Sequence, residues 1–270
     1  LAVEDLQIAG AEIAPLAADA PFLAALRGVS WMPVVQGSPH PSLPWMDKQP
    51  AVAAPLDMRP QSECWLVSHC LSVLDGELAC ESLLHAFEWD TPPRPGVVCA
   101  QIVQFADKHD AACAPDDTVL WEKLLLPAYA QLMGLVDTPA FEAVGIMLRA
   151  RKCLWVGREH GFLSPEHLTF DPEKTFTAAS PYLARVTTNL EAFDPLLRAL
   201  HVRDTFGPDD FVHANNCFMV DAASAPLPPE TLKACVATLE AAAAAAATHE
   251  GAMALSAYTL FVPNAACILR

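Results

Sequence analysis

The strongest strand signal in the chain is RKCLWVG at 151–157, followed after three polar residues by GFLSP at 161–165. Runs of branched and aromatic residues bounded by glycine and proline are typical of strands that a tight turn connects. The sequence therefore predicts a small hairpin with its turn at 158–161. The patterns on both sides are mostly helical. We expect an α+β fold that is mostly helical, with a few short strands and small hairpins.

On the N-terminal side of the hairpin, apolar spacing predicts helices. Val98, Ile102 and Phe105 lie at i, i+4 and i+7 and form one stripe, and Thr138-Pro139 is a strong helix start. Further helices are predicted at 21–28, at 64–74 with Ser62 as its cap, at 77–87, and from an Asp116-Asp117-Thr118 cap with a kink at Pro127.

On the C-terminal side, Pro195 interrupts helical turns at 190–200, and Pro208 begins another predicted helix. A later apolar stripe starts at Leu232 and leads into the seven alanines of 241–247. Alanine has the highest helix propensity, so one long helix ending near Gly251 is predicted. Residues 257–262 are typical of a strand.

Between residues 31 and 60 the chain contains seven prolines together with Trp31 and Trp45. Prolines at this density exclude a helix, and large indole rings favour a packed connection over a loose linker. Short extended runs are predicted at 31–35 and 43–46. We predict two lobes: 1–115, helical with this Pro/Trp-rich connection, and 116–270, helical with the Trp-Val-Gly hairpin and the long Ala-rich helix.

The formal net charge of −16 over 270 residues argues against two classes of partner. An acidic chain repels phosphate backbones, so we expect no nucleic-acid partner. The same field opposes docking on anionic membranes, and no stretch is a good transmembrane span, so we expect no membrane partner.

The nine cysteines include no CxxC, and their spacing does not resemble a disulfide framework. Most lie beside apolar residues, where a free thiol behaves as a small hydrophobe. This usage predicts a reducing, cytoplasmic location. The chain begins at Leu1 rather than Met, so we expect it to be a portion of a longer protein.

The motifs of known catalytic and cofactor sites are missing from the sequence. GxSxG, HExxH, GxGxxG and GxxxxGK[ST] do not occur, and Cys64, His69 and Cys70 on one helix would not converge on a metal ion. We therefore expect no catalytic, cofactor-binding or metal residues, and no enzyme. Asp116-Asp117 and Asp209-Asp210 lie at helix starts, where capping explains them.

Two polar features near the hairpin each have two interpretations. The basic cluster 149–152 either stabilises a helix end or binds an anion, and the first is favoured because cations suit helix C-termini. The hairpin itself is a candidate interaction site through Trp155, Arg158, His160 and Phe162. Alternatively, Arg158, Glu159 and His160 belong to a small-molecule or enzyme pocket near 153–170, which would require perturbed pKa values.

Several segments, in the correct order, resemble the sacsin-type repeat. The hairpin is similar to its "CIWVG…FVSP" motif, and PYLARV at 181–186 resembles its "PYL…VP" motif. The other similar segments are LLRALHV at 196–202, FGPDDF at 206–211, WMPV at 31–34, LPW at 43–45, LFVPN at 260–264 and ILR at 268–270. His201 and Asn264 depart from the glycine and aspartate that are usual there.

The resemblance implies a portion of a giant cytosolic chaperone and protein quality-control protein. In that family each repeat opens with an ATPase-like domain, whose nucleotide motifs are missing here, so this chain resembles the non-ATPase portion that follows. It would act as a scaffold or client-binding module, with protein clients and other domains of the same long chain as partners. A purely structural spacer shares these features, and the pocket-bearing alternative remains open.

Overall fold

The structure, a computed structural model, describes residues 21–40, 43, 49–109, 115–173, 179, 182–223 and 225–269. By its contacts the chain divides into two compact units, one up to Met147 and one from Leu148 onward. Helices account for 52% of the structure, and its strands are few, short and confined to small sheets. The predicted fold class is confirmed. Within the described residues, no helix combines the length and the apolar character that crossing a membrane requires.

The first unit is built from seven helices and four two-residue strands among its described residues. The helices are α1 (Pro21–Arg27), α2 (Cys64–Val67), α3 (Glu81–Ala86), α4 (Pro95–Lys108), α5 (Asp117–Leu120), α6 (Leu126–Met133) and α7 (Pro139–Arg149). The strands are β1 (Met32–Pro33), β2 (Val52–Ala53), β3 (Met58–Arg59) and β4 (Ser72–Val73). The ordered, extended connection predicted at 31–35 is confirmed, while 44–48 lies outside the described residues.

Helix α4 forms for the reasons visible in its sequence. Pro95 occupies the first turn, where its missing N–H is not needed, and Val98, Ile102 and Phe105 are all fully buried. This stripe packs against α2 and α6. The contacts therefore place α6 in the first unit, so the division after Met147 differs from the lobe boundary predicted after residue 115.

The predicted helix at 64–74 is wrong beyond Val67. The chain instead forms β4, which pairs in parallel with β3 in the register Met58↔Ser72. The N–H of Leu74 donates to Arg59, and the N–H of Val35 donates to Val73. Pairing with distant strands thus replaces the helical hydrogen bonds that apolar spacing suggested. Ser62 does not cap α2, since it lies inside a short 3₁₀ turn, Gln61–Glu63.

Two other helical predictions need smaller corrections. The helix predicted at 77–87 is confined to α3, because the helix begins only after its N-cap residue Cys80. The kink expected at Pro127 takes the form of a π-helical segment, Trp121–Leu125, immediately before α6. The predicted cap is confirmed, with the Asp116 side chain accepting from the N–H of Thr118 at 2.9 Å.

The second unit contains the hairpin and five helices among its described residues. The elements are β5 (Leu154–Trp155), β6 (Phe162–Leu163), α8 (Thr188–Glu191), α9 (Asp194–Ala199), α10 (Pro208–Ala222), α11 (Pro229–Ala246) and α12 (His249–Leu255). The hairpin is antiparallel, with Leu154 opposite Leu163 and Trp155 opposite Phe162. Helices α10, α11 and α12 pack on one another around a core that includes Phe218 and Cys235.

The long alanine helix ends earlier than predicted. Helix α11 stops at Ala246, and the Thr248 hydroxyl caps α12 by accepting from the N–H of Gly251 at 3.0 Å. Gly251 therefore lies inside a second helix rather than at a C-cap. A Cβ at this position would lie 2.0 Å from the carbonyl oxygen of Ala245, so only glycine fits the close approach of the two helices.

The strand predicted at 257–262 is wrong. No described residue of that range belongs to a strand, and the adjoining pairing is an isolated bridge between Pro263 and Leu269. The segment is held by a side chain instead. Asn215 of α10 donates to the carbonyl of Phe261 at 3.0 Å and accepts from its N–H at 2.7 Å.

Candidate functional site

A cavity of about 490 Å³ lies beside the hairpin of the second unit. We call it the hairpin cavity and define it by three walls. The hairpin segment supplies Lys152, Glu159, His160, Leu163, Ser164 and His167. Helix α10 supplies Asp210, His213, Cys217 and Asp221, and the third wall consists of Tyr182, Leu183, Ala184 and Phe206. Its volume falls in the range of ligand pockets, about 300–1,000 Å³.

Local sequence explains how the hairpin wall is formed. Gly157 and Gly161 adopt positive φ values of 101° and 65°, which a tight turn between the strands requires. The N–H of Gly161 donates to the carbonyl of Gly157 at 2.8 Å and closes that turn. The turn places Glu159 and His160 at the cavity.

Helix α10 aligns its polar groups because of its periodicity. His213, Cys217 and Asp221 are spaced four residues apart, so they follow one face of the helix. Pro208 occupies the first turn of this helix, and the Asp210 carboxylate accepts from the N–H of Gly207 at 2.7 Å. Asp210 also pairs with Arg203 at 2.6 Å, so its charge is neutralised within the unit.

His160 has a perturbed titration, which is one part of what the pocket interpretation required. Burial lowers the pKa of His160, and the neighbouring charge of Glu159 opposes that shift in part. A neutral imidazole offers one donor and one acceptor at neutral pH. His160 is therefore a hydrogen-bonding group of the cavity rather than a cation.

The serine and cysteine of the cavity are not arranged as activated nucleophiles. Ser164 bonds Nδ1 of His167 at 2.7 Å, and Glu166 lies 3.6 Å from that same nitrogen. A catalytic triad needs the carboxylate on the other ring nitrogen, where it orients the base. These contacts therefore match local bonding at the 3₁₀ turn Pro165–His167.

The thiol of Cys217 lies 3.7 Å from Nε2 of His213. Burial, followed by the charge of Asp221, raises the pKa of Cys217. A reactive cysteine requires a lowered pKa and a cationic neighbourhood, whereas this thiol stays protonated. The pair can donate and accept hydrogen bonds, but it lacks the electrostatics of covalent catalysis.

Tyr182 and Asp221 form a fixed polar pair across the cavity. Burial and the hydrogen bond to Asp221 raise the pKa of Tyr182 to about 12, so the phenol remains protonated and donates to the carboxylate. The tyrosine ring packs on Phe218 with ring centroids 4.0 Å apart. This packing anchors the pair to the core of the unit.

The four residues proposed for an interaction hairpin lie in different environments. Trp155 and Phe162 are each 5% exposed, and their rings pack 5.0 Å apart between centroids, so they belong to the interior. Arg158 is exposed on the turn and does not line the cavity, while His160 does. No motif in the sequence indicated that His167, His213, Cys217 and Asp221 belong to a site. The four-residue spacing along α10 was the signal available for the last three.

The basic cluster at 149–152 separates into different roles. Arg149 donates through Nε and Nη2 to the carbonyl of Ala199, at 3.2 and 2.8 Å, and so satisfies the end of α9. Lys152 lines the hairpin cavity. Across the described ranges, no group of three or more His, Cys, Asp or Glu side chains is placed to hold a metal ion.

Comparison of the chain with protein-family models, curated proteins and solved structures finds no match.

Proposed function

We propose that this chain is a non-catalytic, partner-binding module of a sacsin-like protein quality-control protein, and that the hairpin cavity is its binding surface. The observation that carries the proposal is a cavity of about 490 Å³ in which polar and apolar side chains converge while neither candidate nucleophile is activated. Such a site is suited to recognition rather than to covalent chemistry.

The sacsin-type resemblance supplies the biological context of the proposal. In that context the module works in the cytoplasm, and its partners are client proteins or other domains of the same long chain. Burial raises the pKa of Cys99 to about 12 and that of Cys70 to about 11, so both thiols stay protonated. Thiols in such apolar sites are small hydrophobes rather than reactive groups.

Suppression of aggregation tests the proposal directly. The wild-type chain should slow the aggregation of a chemically unfolded reporter enzyme, because the cavity captures exposed segments. Cys217→Phe fills the cavity and should abolish most of the effect. Asn216→Phe is the matched control, because Asn216 is exposed on the same helix and does not line the cavity.

Two results would overturn the proposal. If the wild-type chain has no effect on aggregation, client binding is contradicted and the interpretation as a structural spacer is favoured. If Cys217→Phe and Asn216→Phe reduce the effect equally, binding occurs outside the hairpin cavity. Circular dichroism of both variants establishes that each retains its helices.

A second candidate function is small-molecule binding, and one observation favours it. His160, with its lowered pKa, lies beside Glu159 at the cavity, and these are two of the three residues that the pocket interpretation named. A screen of pooled metabolites by ligand-observed NMR tests this candidate. A compound that binds the wild type and loses binding in Cys217→Phe supports it, whereas an empty screen contradicts it.

A further inference from the structure

We infer that the hairpin cavity accepts a cationic side chain on an apolar stem, namely a lysine or arginine presented by a partner polypeptide. The inference rests on the proposed function, since it specifies the chemistry of the segment that this cavity would bind. Its support comes from the charges of the lining, from the position of the apolar wall and from the charge of the whole chain.

Two carboxylates of the cavity lining, Glu159 and Asp221, lack a cationic partner among the described residues. Asp210 is neutralised by Arg203 at 2.6 Å and by the N–H of Gly207. Among the described residues, no lysine or arginine forms an ion pair with Glu159 or Asp221. Both carboxylates are solvent-accessible, and a bound cation would reach them without breaking an existing ion pair.

Asp221 is already positioned for this role. The protonated phenol of Tyr182 donates to it, and the ring of Tyr182 is held against Phe218. One hydrogen bond leaves the carboxylate with further acceptor sites, since two oxygens offer about four lone-pair directions. An ammonium or guanidinium at Asp221 would form a charge-assisted hydrogen bond, which is stronger than a neutral one.

The remaining lining favours a long aliphatic stem. Leu163, Leu183 and Phe206 form the apolar part of the cavity. Lysine and arginine pack their methylene groups along such surfaces while the charged head reaches polar groups. His160 adds an acceptor nitrogen, because burial keeps the imidazole neutral at neutral pH.

The net charge of the whole chain indicates the charge of the partner. A formal net charge of −16 attracts basic segments over a distance and repels acidic ones. Lys152 is the opposing charge in the lining, and it is exposed with a flexible stem. Removing the charge of Lys152 should therefore strengthen the binding of a cation. Removing a carboxylate of the cavity should change the affinity in the opposite direction.

Four short capped peptides that differ only at the central residue test the inference, with lysine, arginine, norleucine or glutamate in a glycine-serine background. Isothermal titration calorimetry should give lysine and arginine peptides an affinity about tenfold higher than norleucine, and no binding for glutamate. Raising NaCl from 50 to 500 mM should weaken the lysine peptide but not the norleucine peptide.

Three variants locate the site. Asp221→Asn should weaken the lysine peptide about tenfold, and Lys152→Ala should strengthen it severalfold. Asp209→Asn is the matched control, an exposed acid on the same helix outside the cavity, and should change nothing. A loss of affinity in Asp209→Asn equal to that in Asp221→Asn would overturn the assignment, because general attraction by the acidic chain would then explain binding.

The peptide series separates failure of this inference from failure of the proposed function. If norleucine binds as well as lysine and Cys217→Phe abolishes both, the cavity binds partners but the cationic preference is wrong. If none of the four peptides binds, partner binding at this cavity is wrong as well. If n-butylamine competes at the same concentration as the lysine peptide, a free amine replaces the polypeptide as the ligand source.

Discussion

A buried amide of the first unit and two carboxylates of the second unit are used in opposite ways. In the first unit, the buried amide of Gln101 is fully used in hydrogen bonds to the backbone around it. Gln101 is fully buried, accepts from the N–H of His69 at 2.7 Å and donates to the carbonyl of Trp65 at 2.9 Å. In the second unit, Glu159 and Asp221 face an open cavity without a cationic partner among the described residues.

Arg59 shows why a charged cavity lining alone does not define a binding site. It lines a cavity of about 230 Å³ in the first unit. It also pairs with Glu63 at 2.6 Å and donates to the carbonyls of Glu88 and Thr91. Its donors are therefore occupied within the unit. A polar group indicates binding only where the fold leaves its hydrogen-bonding capacity unused.

The largest expected effect comes from removing the hydrogen bonds of Gln101 in the interior of the first unit. Gln101→Leu leaves the buried N–H of His69 and the buried carbonyl of Trp65 unpaired. Each unsatisfied buried group costs about 1–3 kcal/mol, so the free energy of unfolding should fall by about 2–4 kcal/mol. Urea denaturation followed by circular dichroism measures the change.

Gln104→Leu is the matched control on the same helix. Gln104 is half-buried, and no hydrogen bond to its side chain is seen among the described residues. Its substitution should alter the free energy of unfolding by less than about 1 kcal/mol. Equal losses for the two variants would show that the hydrogen bonds of Gln101 do not carry the effect.

A smaller effect is expected from removing the hydrogen bonds of Asn215 in the second unit. Asn215→Ala removes both bonds to the backbone of Phe261, which is half-buried, so water can satisfy part of what is lost. The free energy of unfolding should fall by about 1–2 kcal/mol, less than for Gln101→Leu. Asn216→Ala, at an exposed neighbouring position, should leave stability nearly unchanged.

Hydrogen exchange of the C-terminal segment adds a local readout for the same variant. Exchange at the N–H of Phe261 should accelerate in Asn215→Ala, because its acceptor is lost. Protection that remains at the wild-type level would show that other packing holds the segment. If Asn215→Ala lowered the free energy of unfolding as much as Gln101→Leu, the expected difference between the two side chains would be contradicted.

The smallest expected effect is a pH dependence that originates at the hairpin cavity. Burial lowers the pKa of His160 below 6.5 in the folded chain, so the unfolded chain binds this proton first as the pH falls. Stability should therefore decrease as the pH drops through 6.5 towards the folded pKa. Thermal unfolding of the wild type and of His160→Gln between pH 7.5 and 5.5 measures the difference.

The wild type should lose more stability over this interval than His160→Gln. Glu159→Gln provides a control of opposite sign, because the charge of Glu159 opposes the shift. Its removal should lower the pKa of His160 further and extend the loss of stability to lower pH. Identical profiles for the wild type and His160→Gln would show that the imidazole titrates as it does in water.

The hairpin at 151–165 could be predicted because its signals are local. Glycines at both ends of the turn and β-formers on both sides specify it without help from distant residues. Helix α4 and the Asp116 cap were predictable for the same reason. The helix predicted at 64–74 failed because the decision was not local: after Val67 the chain pairs with β3 and with Val35, which its own spacing does not encode.

In the candidate site, too, some residues could be identified from local sequence and others could not. Glu159 and His160 were identified from the turn, but Tyr182 and Asp221 were not, since they are 22 or more residues away in sequence and meet the hairpin through packing. Trp155 and Phe162 were proposed as contact residues, yet strand alternation alone did not establish which face the unit would cover. Burial depends on neighbouring elements, and these neighbours are distant in the sequence.

The sequence by itself determined the helical class of this protein, the hairpin, the main helix starts and the acidic charge, because propensity, capping and charge act within a few residues. The strand pairing after Val67, the end of the alanine helix at Ala246 and the set of side chains around the hairpin cavity were decided by tertiary contacts. Each of these depends on contacts between segments far apart in the chain, where packing and pairing outweigh local preference.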